Sequence, residues 1–588
     1  MGFGRNGMVN KLDTILLVHS KEIDCIVQED EGIEHIGVAF SGQNDWTQMT
    51  SPIISRLSLQ VVLLFHILNC DAIGLQANDF YVENLPLLPQ SESSINMHAG
   101  YLPVNSQNHG SLFFWHFPNK FISDKSRTII WLNGGPGQSS LIGAWTEIGP
   151  FRFINNDTMV VNNGSWHFYA NLLFIDQPIG TGFSYAENNR FIKELDVMAE
   201  HFVGFLDRYI EVFPKLLEDD IYLAGESFAG QYIPYIAKAI LEKRSVLKLR
   251  GLIIGSGWID PVSLYDSYLP YALLNDLLKN NSAIYTNITR LVAWCHDILS
   301  KQVHVFVDSC FPILDQIINH GRMSGDNTEG SCINAYDIRL TAKKPICGMN
   351  GPLELEYVSA YLNRPDVMSR LHINGKKSQW KDFIEPVHNA FHVFTSKPSI
   401  ALLPDLLRQI PILFFHGEYD IICNHVATEN MLDKMTWNDA VGFNLANGSK
   451  TPIYAWMVDD ESVGYMRYAR NLTYILFYNA GHMVPYDQSY RSRIMLHQFI
   501  QLNLTYSSDQ SNTNKKFQCV ILIITAMTVI IVLLIGIIWL FISKEKQCMR
   551  VIPARRSNTC QSKRQSAIYS PFENVKDEFV TLEDDALV

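Results

Sequence analysis

Positive charge is scarce in this 588-residue sequence: 47 Lys and Arg stand against 59 Asp and Glu, a formal net charge of −12. No arginine-rich stretch or ring-stacking module is present, so nothing here suits a nucleic-acid partner, and the acidity reads as a solvated surface. Long polar tracts are also missing from the body of the chain. With 47% hydrophobic residues it suits one large core with insertions, and there is no internal repeat. Metal and phosphate chemistry lack their signatures. His388 and His392 have helical i, i+4 spacing but not the glutamate a zinc peptidase carries between them. The glycine run Asn133-Gly134-Gly135-Pro136-Gly137 is not followed by the Lys-Ser/Thr pair of a phosphate loop. No metal or cofactor is therefore expected.

Cysteine is sparse, ten in all, yet Cys295, Cys310, Cys332 and Cys347 fall within one short interval. Such clustering is expected where disulfides persist; the spacing fits no zinc site, and four cysteines allow three pairings. Cys423 stands apart and reads as a free, partly buried thiol.

Two long apolar runs flank the body. Cys519 to Ile542 carries no charge, and as a helix it spans roughly 36 Å, more than the roughly 30 Å hydrocarbon core. It is expected to be a single transmembrane helix. Lys544, Lys546, Arg550, Arg555 and Arg556 follow it and orient the tail, 543–588, to the cytosol. The main body is then lumenal or extracellular, a type I arrangement. Near the other end, Arg56 precedes the apolar run from Leu57 to Leu68, with small residues at Ala72 and Ala77 offering cleavage points, the shape of a signal peptide. Met49 would place its start correctly, so 49–77 is assigned as signal and 1–48 as an upstream extension of the reading frame; an uncleaved anchor is the competing reading. Glycosylation sequons at Asn156, Asn163, Asn280, Asn287, Asn447, Asn471 and Asn503 all lie between the two apolar runs, which agrees with a lumenal body. Residues 506–518 form a polar linker without a core-forming pattern.

Within the body, strand patterns at 112–115, 128–132, 171–176, 252–254, 412–415 and 474–477 alternate with helical ones, which predicts an α/β sheet with helices on both faces. Between about 262 and 398 the strand signals thin out, and this interval reads as a mostly helical cap.

Chemistry concentrates at the ends of these strands. Gly225-Glu226-Ser227-Phe228-Ala229-Gly230 follows the apolar run Ile221 to Ala224 and precedes a helical pattern, the setting of a nucleophile elbow. Its partners are expected in the order serine, acid, histidine. Asp420 follows the strand ending at Phe415, and His482 follows the strand ending at Tyr478. The glycines after Leu132 leave main-chain N–H groups bare for a developing oxyanion.

Trp131 to Gly137, Asp176-Gln177-Pro178, Gly182-Phe183-Ser184-Tyr185, Gly225-Glu226-Ser227 and Gly481-His482-Met483-Val484-Pro485 together resemble the serine carboxypeptidases, over about 81–502. The segments around Cys332 to Arg339 and Cys347 to Asn350, with the trailing apolar run, are similar to the membrane-bound, pheromone-processing branch of fungi. The resemblance implies an α/β-hydrolase domain, 78–505. It implies Ser227, Asp420 and His482 as a triad, and the N–H groups of Gly135 and Phe228 as the oxyanion hole. Asn133, Gly134, Glu147 and Glu226 match residues that hold the substrate's terminal carboxylate, and Met483 matches a further substrate contact. Two carboxyls forced beside a third repel, so they are expected to be protonated and to favour acid pH. Three departures stand out: Gln138 replaces a usual half-cystine, Phe228 a usual tyrosine, and Glu418 the usual acid two residues before Asp420.

The expected function is removal of C-terminal Lys or Arg from precursor peptides through an acyl-enzyme, in a late Golgi membrane. Tyr569-Ser570-Pro571-Phe572 has the form of a tyrosine-based signal for cytosolic sorting adaptors. The rival readings are an esterase or acyltransferase on the same framework, and a catalytically silent transmembrane sorting receptor.

Overall fold

The structure, a computed structural model, describes residues 75–505 except for 93–94, 108, 122–124, 302–303, 321–330, 344–350, 374, 376–378, 392 and 446, together with four short strands between 16 and 48. The expected signal peptide (apart from 75–77), the linker, the transmembrane run 519–542, the tail with Tyr569 to Phe572, and the residues Cys347 and His392 lie outside the described residues. Among the described residues, no helix is long and apolar enough to cross a membrane. Packing divides the chain between 504 and 505, and the four strands of 16–48 form their own antiparallel sheet.

The body is built on one twelve-stranded mixed sheet. Its main strands are β1 (Tyr81–Val82), β2 (Met97–Pro103), β3 (Gly110–Phe117), β4 (Arg127–Leu132), β5 (Asn171–Asp176), β6 (Asp220–Glu226), β7 (Lys248–Gly255), β8 (Ile412–Gly417), β9 (Tyr454–Val458), β10 (Glu461–Ala469) and β11 (Leu472–Phe477). They lie in the order β9-β10-β11-β8-β7-β6-β4-β5-β3-β2-β1. The six central strands, from β11 to β5, pair in parallel, and the flanking ones pair antiparallel. All six strands expected from these short apolar runs are present. Of the antiparallel margins, β3 shows its apolar run, whereas β2 and the β9–β10 hairpin carry more polar and less deeply buried residues and are not legible as strands.

Central strands are buried on both faces, so side chains alternate between two cores rather than between core and water. Ile130 and Leu132 of β4 enter one core with Ile221 and Leu223 of β6, while Ile129, Trp131, Tyr222 and Ala224 enter the other. Helices α1 (Leu141–Thr146), α2 (Leu195–Val212) and α3 (Ala229–Lys243) cover the sheet, with α2 and α3 both contributing to the first core.

The cap is helical as expected. It comprises α4 (Pro261–Leu274), α5 (Ala283–Lys301) and α6 (Pro312–His320), a small hairpin at 331–333 and 341–343, and shorter helices at 354–362, 365–370 and 385–390. Asp260 caps α4, its side chain accepting from the Ser263 N–H, and Pro261 occupies the first turn, where a missing N–H costs nothing. Cys295 and Cys310 are bridged, which resolves one of the open pairings and ties α5 to the start of α6; Cys332 is also held in a disulfide. Cys423 is a free thiol, fully rather than partly buried. The sequon residues Asn156, Asn163, Asn280, Asn287, Asn447 and Asn471 are all exposed, while the side chain of Asn503 lies outside the described set.

Candidate active site

Parallel pairing brings the chemistry-bearing turns to one rim, because β4, β6, β8 and β11 all run the same way and each is followed by one of them. After β6 the chain turns at Ser227 with φ 61° and enters α3 at Ala229. A left-handed conformation is costly for a residue with a Cβ, so the turn needs fixing from outside. Three main-chain bonds supply this: Ser227 N–H to the Gly255 carbonyl (3.1 Å), and Trp258 and Gly230 N–H to the Ser227 carbonyl (2.9 and 3.0 Å). Close approach does the rest. A Cβ on Gly225 would lie 2.1 Å from the Leu132 carbonyl oxygen, and one on Gly134 would lie 2.3 Å from the Phe228 nitrogen. The glycine run after β4 therefore presses on the elbow where the Phe228 N–H lies, the arrangement an oxyanion hole requires.

Asp420 and His482 are joined at 2.8 Å between Oδ2 and Nδ1, and both are buried. The remaining Asp420 oxygen accepts from the Cys423 N–H (3.2 Å). His482 donates its own N–H to the Tyr336 carbonyl (2.7 Å), and the Tyr336 ring lies 5.0 Å from the imidazole. The acid turn is gripped by the cap: Tyr271 and Tyr268 donate to the carbonyls of Glu418 (2.9 Å) and Ile422 (3.0 Å), and Asn424 Nδ2 donates to Ser267 Oγ (2.8 Å). A buried acid so fixed holds one imidazole tautomer, leaving the other nitrogen to act on a hydroxyl.

Beside this pair lie three residues expected at the carboxylate site. Asn133 Oδ1 accepts from Trp131 Nε1 (2.8 Å) and the Gly143 N–H (3.0 Å), which orients its amide so that Nδ2 donates to Glu226 Oε1 (3.0 Å). Glu147 and Glu226 are 0% and 4% exposed, and both Glu147 oxygens and the second Glu226 oxygen are buried with nothing to accept from except Asn133 and, once one of them is protonated, each other. Burial raises the pKa of each carboxyl; for Glu226 the neighbouring charge of Glu147 adds to it and the rise is large. Buried acceptors with so few donors are expensive. A proton on these carboxyls turns acceptors into donors, and a ligand carboxylate would satisfy them.

The Asp176-Gln177-Pro178 segment serves this site indirectly. Asp176 accepts from Ser139 Oγ (2.6 Å) and from the N–H groups of Ser140 (2.9 Å) and Phe183 (2.9 Å), fixing the turn between the glycine run and α1. Met483 is half-buried against the second core. Glu418 accepts the Asn479 N–H (3.1 Å) and so links the acid and histidine turns, while Gln138 reaches the Tyr336 hydroxyl (3.4 Å) where the family usually places a cystine. Phe228 stacks on Phe306 of the cap at 4.8 Å, a face-to-face contact that needs no hydroxyl. Sequence reasoning missed Tyr336, Arg152 and the α4 tyrosines; only the i, i+3, i+6 spacing of Tyr265, Tyr268 and Tyr271 hinted that one helix face turns inward.

Comparison with known proteins decides the family. The profile described as serine carboxypeptidase matches residues 86–502. The chain belongs to the serine carboxypeptidases. It is 46% identical over 437 residues to the pheromone-processing carboxypeptidase kex1 of Aspergillus terreus, covering 73% of this chain and 69% of that protein. It is 45% identical over 471 residues to the corresponding enzyme of Uncinocarpus reesii, covering 78% and 72%. A prohormone-processing carboxypeptidase from Saccharomyces cerevisiae, solved as a crystal structure, matches with a TM-score of 0.68 and 34% identity, covering 73% of this chain and 96% of that one. This serine carboxypeptidase is thus a serine-type hydrolase of peptide C-termini with an α/β-hydrolase framework.

Two outcomes are expected from this geometry. Ser227→Ala or His482→Ala should lower kcat roughly 10⁴-fold with the thermal unfolding temperature nearly unchanged, since the members of a serine–histidine–acid triad, as expected here, act as one unit; near-normal turnover in either variant would remove these residues from the chemistry. Burial and the nearby Asp420 and Glu226 charges hold the Cys423 thiol protonated, so its modification should be slow. Once a bulky mercurial does add, it displaces the Asp420 turn, so wild type should be inactivated and Cys423→Ser spared. Equal sensitivity of the two would count against this.

Proposed function

We propose that Ser227, Asp420 and His482 are the catalytic triad of a carboxypeptidase that works through an acyl-enzyme. The observation that carries this is the buried 2.8 Å Asp420–His482 contact set beside the buried carboxyls of Glu147 and Glu226. His482 takes the Ser227 proton as Oγ attacks the last peptide carbonyl. The N–H groups of Gly135 and Phe228 receive the oxyanion, and His482 returns the proton to the departing amino acid; water then repeats the sequence on the ester. Asn133, Gly134, Glu147 and Glu226 hold the leaving residue's carboxylate, which restricts cleavage to the chain end, and Met483 lines the leaving side.

The substrates we assign are precursor peptides ending in Lys or Arg. Support comes from the relatives, which bear the names pheromone-processing and prohormone-processing carboxypeptidase. The seven sequons, the cystines and the apolar run 519–542 with its basic flank support a single-pass type I glycoprotein of the late Golgi membrane, with Tyr569 to Phe572 offered to sorting adaptors.

A panel of blocked dipeptides differing only in the final residue tests the specificity: kcat/KM should be highest for Lys and Arg, and a clear preference for Leu or Phe would overturn the processing role. The carboxyl pair gives a second outcome. Both pKa values are raised, so at acid pH the groups are protonated and donate to the substrate carboxylate; as pH rises through those values they ionise and repel it. KM for free-acid peptides should therefore climb toward neutral pH while KM for C-terminal amides climbs less. A flat KM for the free acids would refute the shared-proton site.

A further inference from the structure

Arg152 lies on the strand Phe151–Asn155, just past Glu147, and the reaction described above gives it no role. One guanidinium nitrogen, Nη2, donates to the main-chain carbonyl of Glu147, which also accepts from Asn162 Nδ2 at 3.0 Å. The other, Nη1, is buried and has no hydrogen-bond partner. Glu147 itself sits at the end of α1 with φ −129° and ψ −87°, outside the common wells, so its carbonyl is held by two side chains at a point where the helix no longer holds it. A cation with one buried nitrogen left without an acceptor is costly, and it is tolerated where neighbouring charge compensates it.

The neighbouring charges are identifiable. Arg152 is within electrostatic reach of Glu147, Glu354 and Tyr486, and the Tyr486 hydroxyl donates to the Glu354 carboxylate (3.2 and 3.0 Å to its two oxygens). Glu147 is acted on by Arg152, Glu226, Asn133 and His482, and Glu226 by Glu147, Asn133 and Asp420. The guanidinium charge is thus felt both by the half-buried Glu354 and by Glu147 of the fully buried pair.

We infer that Arg152 is the positioning residue of the carboxylate-binding pair: it fixes the Glu147 main chain and places a buried positive charge that sets how far toward neutral pH the pair ionises. This rests on the proposed carboxylate site. The attraction of Arg152 favours ionised Glu147, in opposition to burial. Removing the cation therefore keeps the pair protonated to higher pH. Neutralising Glu354 unmasks the cation and does the reverse.

The test uses the full-length protein, with active centres counted by fluorophosphonate labelling, and KM measured from acid to neutral pH for a blocked dipeptide ending in Lys and for its C-terminal amide. In Arg152→Gln the rise in free-acid KM should move to higher pH by about one unit, the size of effect a nearby opposite charge exerts. Arg152→Lys, which retains the charge, should keep the wild-type midpoint. Glu354→Gln should move it to lower pH. A loss of activity in Arg152→Gln that is uniform across pH would mark a merely structural residue and overturn the inference. Should Arg152→Gln fail to fold, an unmoved midpoint in Glu354→Gln overturns it alone. If wild type shows no difference between free acid and amide, the carboxylate site itself is refuted, an outcome distinguishable from failure of the Arg152 role.

Discussion

The contact between two turns, Gly134 against the Phe228 nitrogen, is the constraint on which the remaining geometry depends. Ser227 can occupy the left-handed region only because the chain around it is clamped by Gly255, Trp258 and the glycine run that follows β4. That clamp exists only if β4 and β6 are adjacent and parallel with the register found here, Leu132 opposite Gly225. Strand order, the absence of side chains at 134 and 225, and the left-handed turn at Ser227 are thus one requirement. The closeness of the bare N–H groups after β4 to the Ser227 turn follows from backbone packing before any side chain is considered.

The second determinant is the concentration of acid in a dry place. Asp420, Glu147 and Glu226 are all buried near one another, which water would not permit without compensation. Each is handled differently. Asp420 has His482 and a main-chain N–H; Glu226 has the oriented amide of Asn133; Glu147 has a guanidinium bound to its own carbonyl rather than to its carboxyl. The result is one acid paired with a base and two that remain receptive, so closely placed groups of the same type can do different work.

Much of this was readable from residues alone. The apolar runs that became β4, β6, β8 and β11 are buried on both faces, and such strands announce themselves by composition; the turns after them carry glycine, serine, aspartate and histidine in an order that chance rarely produces. What escaped reading is whatever depends on contacts between distant segments. Tyr336 approaches His482 from 146 residues away along the chain, Tyr268 and Tyr271 reach the acid turn across the whole cap insertion, and Arg152 gains meaning only from Glu354 and Tyr486. The antiparallel strands β2, β9 and β10 were missed for a different reason: strands that are not buried throughout mix polar and apolar residues, and short windows cannot separate them from loops. The departures at 138, 228 and 418 also resolve as local substitutions of one contact for another, a side-chain amide for a cystine, a ring stack for a phenol, and a longer carboxylate for a shorter one.

The grip of α4 on the acid turn bears on how such enzymes can be recombined. Insertions over a hydrolase sheet are often treated as exchangeable modules, since their ends are close and their cores are their own. Here the boundary falls inside the insertion. Ser267, Tyr268 and Tyr271 are bonded to residues 418–424 and hold the acid turn, whereas α5, stapled by Cys295–Cys310, packs on α4 in its turn, with His296 Nδ1 3.2 Å from Asp266. A chimera that takes a foreign cap from Pro261 onward would carry the wrong partner for its own aspartate; one joined after Leu274 would not.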